Sequence, residues 1–260
     1  MGKVIAITNR KGGCGKSTTA ASLGVGLARQ GKKTLIIDAD SQHSLTVSLG
    51  VAEPDKLPVT LATIMYAIIN ETGYNTTDGI IHHAEGVDLM PSNNSLAGME
   101  IALAPIIGRE TILKQYIDEV KALYDYVLVD TAPTLDMLTV NALAAATSVI
   151  IPVTPKFLDA KGLELLLKSI AQIRRAINLS LAIGGILLTM VDRRTNFTRE
   201  IISLVEGAYG DKIHIFGEHI PLSIRAAETS ATGRSIFSHE PNGRVAAAYA
   251  SLTGEVLEIA

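Results

Sequence analysis

The chain has 260 residues, a formal net charge of -3 and a hydrophobic fraction of 47%, while aromatic residues make up only 4%. This length is typical of one open α/β sheet, so we expect a single domain over residues 1–260 with an aliphatic core. The small negative charge excludes a surface that is basic throughout, as a general nucleic-acid or anionic-membrane binder would need. The single cysteine, Cys14, excludes internal disulfides and multi-thiolate metal clusters, and we expect a cytoplasmic protein.

Short apolar runs alternate with segments of helical periodicity along the chain. They predict strands at residues 4–8, 34–38, 87–90, 126–130, 148–153, 181–188 and 215–220, and helices at 17–30, 159–177 and 241–257. This alternation predicts the α/β class, with a doubly wound, mainly parallel sheet flanked by helices and ligands at the carboxyl ends of the strands. Residues 50–82 are irregular, and they fit either a helical insertion near the site or a surface excursion without a role.

A glycine-rich segment lies between the first predicted strand and the first predicted helix. It reads Lys11-Gly12-Gly13-Cys14-Gly15-Lys16-Ser17-Thr18. Glycine lets backbone N–H groups turn toward a phosphate, and the helix N-terminus adds its positive dipole end. We therefore expect Lys16 to reach the β- and γ-phosphates and the Ser17 hydroxyl to ligate Mg²⁺. The alternative is a glycine-rich turn in which the lysine is incidental.

Three aspartates lie at the ends of predicted strands. Asp38 and Asp40 are two residues apart in extended chain, so both side chains can face the phosphate site. Asp130 ends another apolar strand, where phosphate-loop enzymes place an acid that holds Mg²⁺ through water. Simpler roles stay open, because Asp38 or Ser41 can cap the next helix and Asp130 can cap the loop after it.

The glycine-rich loop departs from the usual phosphate-loop pattern, which begins with glycine. It has Asn9 or Arg10 near that position, and a second lysine, Lys11, five residues ahead of Lys16. With this lysine the loop resembles the deviant Walker A motif of the ParA/MinD family of ATPases. The resemblance extends from residue 3 to about 256 and implies ATP and Mg²⁺ as ligands and a homodimer in ATP. In that family the first lysine contacts the phosphates held by the partner subunit, which is the role implied for Lys11.

The same resemblance implies roles for the strand-end carboxylates. The segment from Ile37 to Gln42 is similar to the family's first switch, with Ser41 in place of a proline. By that likeness Asp40 orients or deprotonates the attacking water, and Asp38 supports Lys16 or Mg²⁺ indirectly. The segment after Asp130 is similar to the second switch, although a second proline common there is absent. The implied catalytic residues are Lys11, Lys16 and Asp40, and the implied metal residues are Ser17, Asp38 and Asp130.

Two late segments complete the resemblance. Residues 189–196 and 220–225 are similar to the family's loops that read adenine through backbone groups. The implied nucleotide-binding residues are therefore Lys11, Gly12, Gly13, Cys14, Gly15, Lys16, Ser17, Thr18, Met190, Asp192 and Pro221.

Most of the arginines lie in the last third of the chain. In ParA-type dimers, arginines at similar positions bind DNA without sequence preference, and scattered phosphate contacts are sufficient for such binding. The resemblance thus implies DNA binding by Arg193, Arg194, Arg225 and Arg234. Alternatively these arginines are solvated helix residues or ion-pair partners, which fits Arg174 and Arg175 best.

Members of this family differ in what they position. Residues 245–260 carry glutamates but no lysine or arginine, which is the wrong charge for an anionic lipid surface, so we expect no membrane binding. Because the chain starts at the phosphate-loop strand, we also expect no N-terminal helix-turn-helix. The resemblance implies a partition ATPase that binds non-specific double-stranded DNA, is nucleoid-associated when ATP-bound, and is released by a ParB-like centromere-binding activator. The alternatives are a MinD-like or cargo-positioning ATPase and a small-molecule kinase or ligase.

Overall fold

The part of the chain that the structure describes forms a sheet of seven strands in which only the edge pair runs antiparallel. This computed structural model describes residues 2–259, except for the side chains of residues 157–161. The strands are β1 Lys3–Ile7, β2 Thr34–Ala39, β3 Ile81–His82, β4 Asp88–Met90, β5 Tyr126–Thr131, β6 Ser148–Val153 and β7 Ala182–Leu188. Their order is β3-β4-β2-β5-β1-β6-β7, which confirms the predicted doubly wound, mainly parallel architecture.

Helices cover both faces of this sheet. They are α1 Lys16–Arg29, α2 Ser44–Ser48, α3 Leu61–Ile69, α4 Met99–Leu103, α5 Ile112–Val120, α6 Met137–Ala145, α7 Phe157–Ala176, α8 Asn196–Tyr209, α9 Ile224–Thr232, α10 Ile236–His239 and α11 Arg244–Ile259. Buried side chains of α3, α5, α6 and α7 form the core on one face, and those of α1 and α11 form the core on the other. Within residues 2–259, no helix combines the length and apolar character that crossing a membrane requires.

Side chains alternate between the two cores along each central strand. In β1, Val4 and Ala6 join the core of α3 and α5, while Ile5 and Ile7 join that of α1 and α11. This period of two follows from the pleat of the strand. Strands buried on both faces carry apolar residues on both sides until they reach the carboxyl edge of the sheet, which explains why the sequence marks them as runs of aliphatic residues.

The strand predicted at residues 215–220 is wrong. This segment runs beside β7, but its pairing with β7 is limited to an isolated bridge between Ile186 and Ile215 and to single backbone hydrogen bonds. Within the segment, the Gly217 N–H donates to the Glu255 carboxylate of α11, 3.2 Å from each oxygen. The Phe216 N–H donates to the Ile186 carbonyl at 3.0 Å, and the next bond to β7 comes from the Ile220 N–H to the Leu188 carbonyl at 2.9 Å. Because the segment bulges between these two donors, it forms no regular ladder with β7.

The irregular region at residues 50–82 contains a helix, as one of the two interpretations expected. Helix α3 buries Leu61, Ile64 and Met65 in the core beside β2. The Thr60 side chain caps it in a reciprocal capping box with Thr63. This part of the region is therefore a structural layer of the fold, while a role for it at the site stays a prediction.

The strand register gathers the candidate residues at one edge of the sheet. Strand β5 lies between β1 and β2, and Asp130 pairs in register with both Ile7 and Asp38. Side chains of paired residues in parallel strands point to the same face, so Asp38 and Asp130 lie side by side. The loop that follows β1 emerges at the same edge, next to both carboxylates.

The contact between α1 and α11 gives a test of this packing. A Cβ atom at Gly26 would lie 2.2 Å from Thr253 Oγ1, and that hydroxyl is fixed by its bond to the Tyr249 carbonyl. We expect Gly26→Ala to lower the free energy of unfolding by about 1–3 kcal/mol through overpacking. Gly254→Ala in α11 meets no atom within 4 Å and should raise it by about 0.5–1 kcal/mol. Urea denaturation of both variants checks this, and equal effects would contradict the close approach.

Candidate nucleotide site

The glycine-rich loop ends in a left-handed turn that leaves the start of α1 open to an anion. Gly13 and Gly15 have φ values of 71° and 84°, a region that residues with a Cβ atom rarely adopt. Gly15 is the N-cap of α1, and no side chain caps this helix among the described residues. The N–H groups of the first helical turn therefore stay available for a phosphate, together with the positive end of the helix dipole.

Hydrogen bonds from neighbouring segments fix the shape of this loop. The Asn9 side chain donates to the Pro152 carbonyl at 2.6 Å and accepts the Lys11 N–H at 3.1 Å. The Thr189 hydroxyl donates to the Cys14 carbonyl at 2.8 Å. The Cys14 side chain is buried, with its Sγ atom 3.3 Å from the Lys11 carbonyl, so it fills space inside the turn. The ends of β6 and β7 thus hold the loop in a preformed shape.

The two lysines of the loop differ in burial. Lys16 is 7% exposed, and its ammonium lies 3.4 Å from the Lys11 carbonyl, inside the loop. The Lys11 side chain is exposed at the surface. Lys16 is therefore placed to bind a phosphate chain held by its own loop, whereas Lys11 faces outward from it.

Asp38 anchors the segment that follows β2. Thr46 donates to Asp38 Oδ2 from its N–H at 2.8 Å and from its hydroxyl at 2.6 Å. The Asp40 N–H donates to Asp38 Oδ1 at 3.2 Å. Complete burial raises the pKa of Asp38 to about 6, although these hydrogen bonds oppose the rise. Both oxygens already accept hydrogen bonds, and indirect support of Lys16 or Mg²⁺ by Asp38 stays a prediction.

Asp130 contrasts with its neighbour. It is completely buried, and neither carboxylate oxygen accepts a well-formed hydrogen bond from any residue that the structure describes. Burial raises the pKa of Asp130 and the charge of Asp38 raises it further, although Ser17 and Lys16 lie near enough to oppose the rise. An unsatisfied buried carboxylate beside a hydroxyl presents the oxygen donors that Mg²⁺ binds.

A cavity of about 430 Å³ joins the loop to the segment after β2. Asp40 lies on its wall, where Asp40 Oδ1 accepts the Gln42 N–H at 2.9 Å and its carbonyl accepts the Ser92 hydroxyl at 2.9 Å. The cavity brings together many of the residues predicted for the phosphate end of the site, namely Gly12, Gly13, Gly15, Lys16, Ser17, Thr18, Asp40 and Met190.

The residues predicted on the adenine side are divided between two cavities. Met190, with a φ value of 52°, lines the cavity of the glycine-rich loop. Asp192 and Pro221 line a second cavity of about 590 Å³. The Asp192 carboxylate accepts hydrogen bonds from Arg194 at 2.7 and 2.8 Å, which lower the pKa of Asp192 to about 2. Its side chain is thus engaged with Arg194, and a role in reading the base would fall to backbone groups nearby.

The four arginines predicted to bind DNA do not share one cavity. Arg193 and Arg194 line the second cavity, where Arg193 lies 3.1 Å from the His219 ring. Arg225 donates to Glu228 at 3.0 Å along α9. Arg234 instead lines the cavity of the glycine-rich loop. A common DNA-binding face for all four stays a prediction.

Sequence reasoning missed the residues that brace the switch segment. The Thr46 hydroxyl donates to Asp38 and accepts the Ser92 N–H at 2.9 Å, so one buried side chain ties the end of β2 to the segment after β4. Neither Thr46 nor Ser92 belongs to the quoted motifs. The Ser-rich composition around them gave no signal, because serine and threonine are common in any loop.

Known proteins resemble this chain over nearly its whole length. The AAA domain family matches residues 2–183. The sporulation initiation inhibitor protein Soj of Bacillus subtilis is 39% identical over 98% of each chain. The chromosome-partitioning ATPase Soj of Treponema pallidum is 36% identical over 99% of this chain and 98% of its own. The structure of cobyrinic acid a,c-diamide synthase from Mycobacterium smegmatis with bound ADP and magnesium has a TM-score of 0.86 and 31% identity, and covers 99% of this chain and 95% of that chain.

These likenesses agree with the loop itself. The glycine-rich turn and its two lysines make up the deviant Walker A motif, and the strand-end carboxylates lie beside it. The full-length identity to Soj extends the likeness from that motif to the entire fold. On this evidence the chain belongs to the ParA/MinD family of deviant Walker A ATPases.

Proposed function

We propose that this chain is a partition ATPase that dimerises around ATP and Mg²⁺, binds double-stranded DNA without sequence preference, and leaves it after hydrolysis. The observation that carries this proposal is the unequal burial of the two lysines in one loop. The buried Lys16 serves the nucleotide of its own subunit, and the exposed Lys11 serves that of a partner, as an arginine finger does. The name of the Treponema pallidum relative, a chromosome-partitioning ATPase, supports the cellular role.

The residues at the carboxyl edge of the sheet fit a Mg²⁺ ion. Asp130 supports this assignment, because a buried carboxylate without well-formed hydrogen bonds stays ionised only beside a compensating cation. Ser17 and Asp130 would hold the ion, with Asp38 behind them. When bound, Mg²⁺ would offset the negative charge of the phosphates. The magnesium and ADP bound to the Mycobacterium smegmatis neighbour support the same assignment.

The glycine-rich loop and the first switch have different roles in hydrolysis. Lys16 and the first N–H groups of α1 bind and orient the phosphate chain. Asp40 lies on the wall of the same cavity and takes up or orients the proton of the attacking water. The bonds from Gln42 and Ser92 to Asp40 restrict its motion, so its carboxylate stays at the phosphate end of the cavity.

DNA is the partner of the ATP-bound dimer in this proposal. Arg193, Arg194 and Arg225 are exposed at the surface, and they would contact phosphates without reading bases. The dimer would then be nucleoid-associated within the cytoplasm. A ParB-like centromere-binding protein would stimulate hydrolysis and so release the protein from DNA.

Two alternative functions can be distinguished from partition by what the protein binds besides ATP. A MinD-like or cargo-positioning ATPase would dimerise in the same way but bind a protein or a membrane in place of DNA. The cobyrinic acid a,c-diamide synthase neighbour suggests a ligase that activates a small molecule with ATP. The greater identity to Soj, 39% against 31%, favours partition over that reaction.

Removal of Lys11 tests the dimer. We expect Lys11→Ala to bind ATP within about threefold of wild type, to remain monomeric in ATP, and to hydrolyse it about 10²–10³-fold more slowly, because the cation from the partner is lost. Light scattering and phosphate release measure these properties. Lys32→Ala, an exposed lysine beyond the end of α1, serves as the control and should dimerise normally. A Lys11→Ala variant that dimerises and hydrolyses ATP would refute the sandwich.

Neutralising Asp130 tests the cation site. Without nucleotide, Asp130→Asn should raise the free energy of unfolding at pH 7 by about 1–3 kcal/mol, because the cost of burying or protonating an unsatisfied carboxylate is removed. In Mg²⁺ and ATP it should lose the stabilisation that wild type gains. Thermal unfolding measures both effects, and Asp211→Asn, at an exposed position, is the control. Lower stability of the nucleotide-free Asp130→Asn variant would contradict an uncompensated charge.

The pH dependence of stability follows from the same two carboxylates. Burial raises the pKa of Asp38 from 3.8 to about 6 and raises the pKa of Asp130, so the folded chain holds protons that the unfolded chain releases. These two carboxylates should therefore contribute less to the stability of the nucleotide-free protein as pH rises from 3.8 through about 6. Asp130→Asn should show a shallower loss over this range.

DNA binding separates partition from the other functions. Fluorescence anisotropy of a labelled random duplex should rise with ATP or a slowly hydrolysed analogue but not with ADP. Arg225→Ala should weaken this binding by about 5–10-fold and reduce its salt dependence by about one counterion. Arg174→Ala removes the same charge from the end of α7 and should bind normally. If the wild-type protein does not bind DNA but sediments with liposomes in the presence of ATP, the MinD-like function is favoured.

A further inference from the structure

Arg234 differs from the other arginines of the last third of the chain. It lies in the short turn between α9 and α10, and it lines the cavity formed by the glycine-rich loop and Asp40. Among the residues that the structure describes, its guanidinium makes no hydrogen bond or ion pair. Lys16 and Arg234 are the two cationic side chains on the described wall of this cavity. An arginine in such a place presents a planar group of donors toward a phosphate.

The turn that carries Arg234 is fastened from outside the site. Glu85, in the connection between β3 and β4, accepts hydrogen bonds from the N–H of Ser235 at 2.8 Å and from its hydroxyl. His83, from the same connection, lies 3.3 Å from the Gly233 carbonyl. The residues on both sides of Arg234 are thus held in place, although they lie 150 positions away from their partners in sequence.

The same turn also touches the first switch. Gly233 adopts a φ value of 65° at the end of α9, and a Cβ atom there would lie 2.7 Å from Gly50 Cα. Gly50 follows α2, the helix that begins four residues after Asp40. Two glycines in left-handed conformation let the backbones meet. A shift of the switch segment on nucleotide binding would therefore move the turn that carries Arg234. A shift of that turn would likewise move the switch segment.

We propose that Arg234 is a further nucleotide-binding residue, which contacts the terminal phosphate of bound ATP, and that Glu85 is the residue that positions it. Because Arg234 shares a cavity wall with Asp40, its contact favours a triphosphate over a diphosphate. This inference rests on the ATP-binding part of the proposed function and is independent of DNA binding. It also makes the turn between α9 and α10 a sensor of the nucleotide state.

Nucleotide affinity measured without DNA tests the role of Arg234. Titration calorimetry with Mg²⁺ and a slowly hydrolysed ATP analogue should show about 5–30-fold weaker binding for Arg234→Ala, with less than about threefold change for ADP. Arg234→Lys should recover part of the loss. Arg199→Ala, an exposed arginine of α8, is the matched control and should bind both nucleotides as wild type does.

A double-mutant cycle tests the role of Glu85. Glu85→Gln keeps the size of the side chain and should weaken analogue binding about 3–10-fold, with ADP binding little changed. In the Arg234→Ala background the same substitution should have no further effect, because Glu85 acts through the arginine. An effect of Glu85→Gln that persists in that background would show a merely structural role and would overturn the positioning assignment.

The remaining outcomes are distinct. Unchanged analogue affinity in Arg234→Ala, or an equal loss for analogue and ADP, would overturn the inference while leaving the proposed ATPase intact. Arg234→Ala that binds nucleotides normally and loses only DNA affinity would make Arg234 a DNA contact. Wild-type protein that binds neither nucleotide would instead refute the proposed function itself.

Discussion

The burial of two adjacent carboxylates is the constraint around which the rest of the site is arranged. Asp38 and Asp130 pair in register on neighbouring strands, and both are completely buried. Two such charges repel one another and lose their hydration, so the fold must compensate each of them. It does so unequally. Thr46 satisfies Asp38 with two hydrogen bonds, whereas Asp130 has no well-formed hydrogen bond from any described residue.

This inequality links stability to ligand binding. The hydrogen bonds to Asp38 hold α2 and Asp40 in place, so one carboxylate organises the switch segment from within the chain. The other stays uncompensated, and its free-energy cost becomes part of the affinity for a cation that arrives with the nucleotide. The burial of Asp130 thus lowers the stability of the nucleotide-free fold. The protein regains this stability when the cation and the nucleotide bind.

Sequence reasoning anticipated the parts of the site that lie within short segments. The loop from Lys11 to Thr18 and the acids that end β2 and β5 were predictable because one strand end positions each of them. The supporting contacts were not predictable, since they join distant segments: Thr46 with Ser92, and Glu85 with Ser235. The strand predicted at residues 215–220 failed for a related reason. Its apolar pattern was correct, but the backbone bulges between Phe216 and Ile220, so its hydrogen bonds to β7 form no regular ladder.

The two lysines of the loop explain how such a site can act as a timer. Lys16 is buried and held near the Lys11 carbonyl, so its contribution to binding is available to a single subunit. In the proposed dimer, the exposed Lys11 would reach a phosphate when a second subunit approaches. That favourable interaction would exist only in the dimer and would be lost when the terminal phosphate leaves, so the stability of the proposed dimer would depend on the chemical state of the nucleotide. A loop with Lys16 alone would bind ATP equally well but would carry no such dependence.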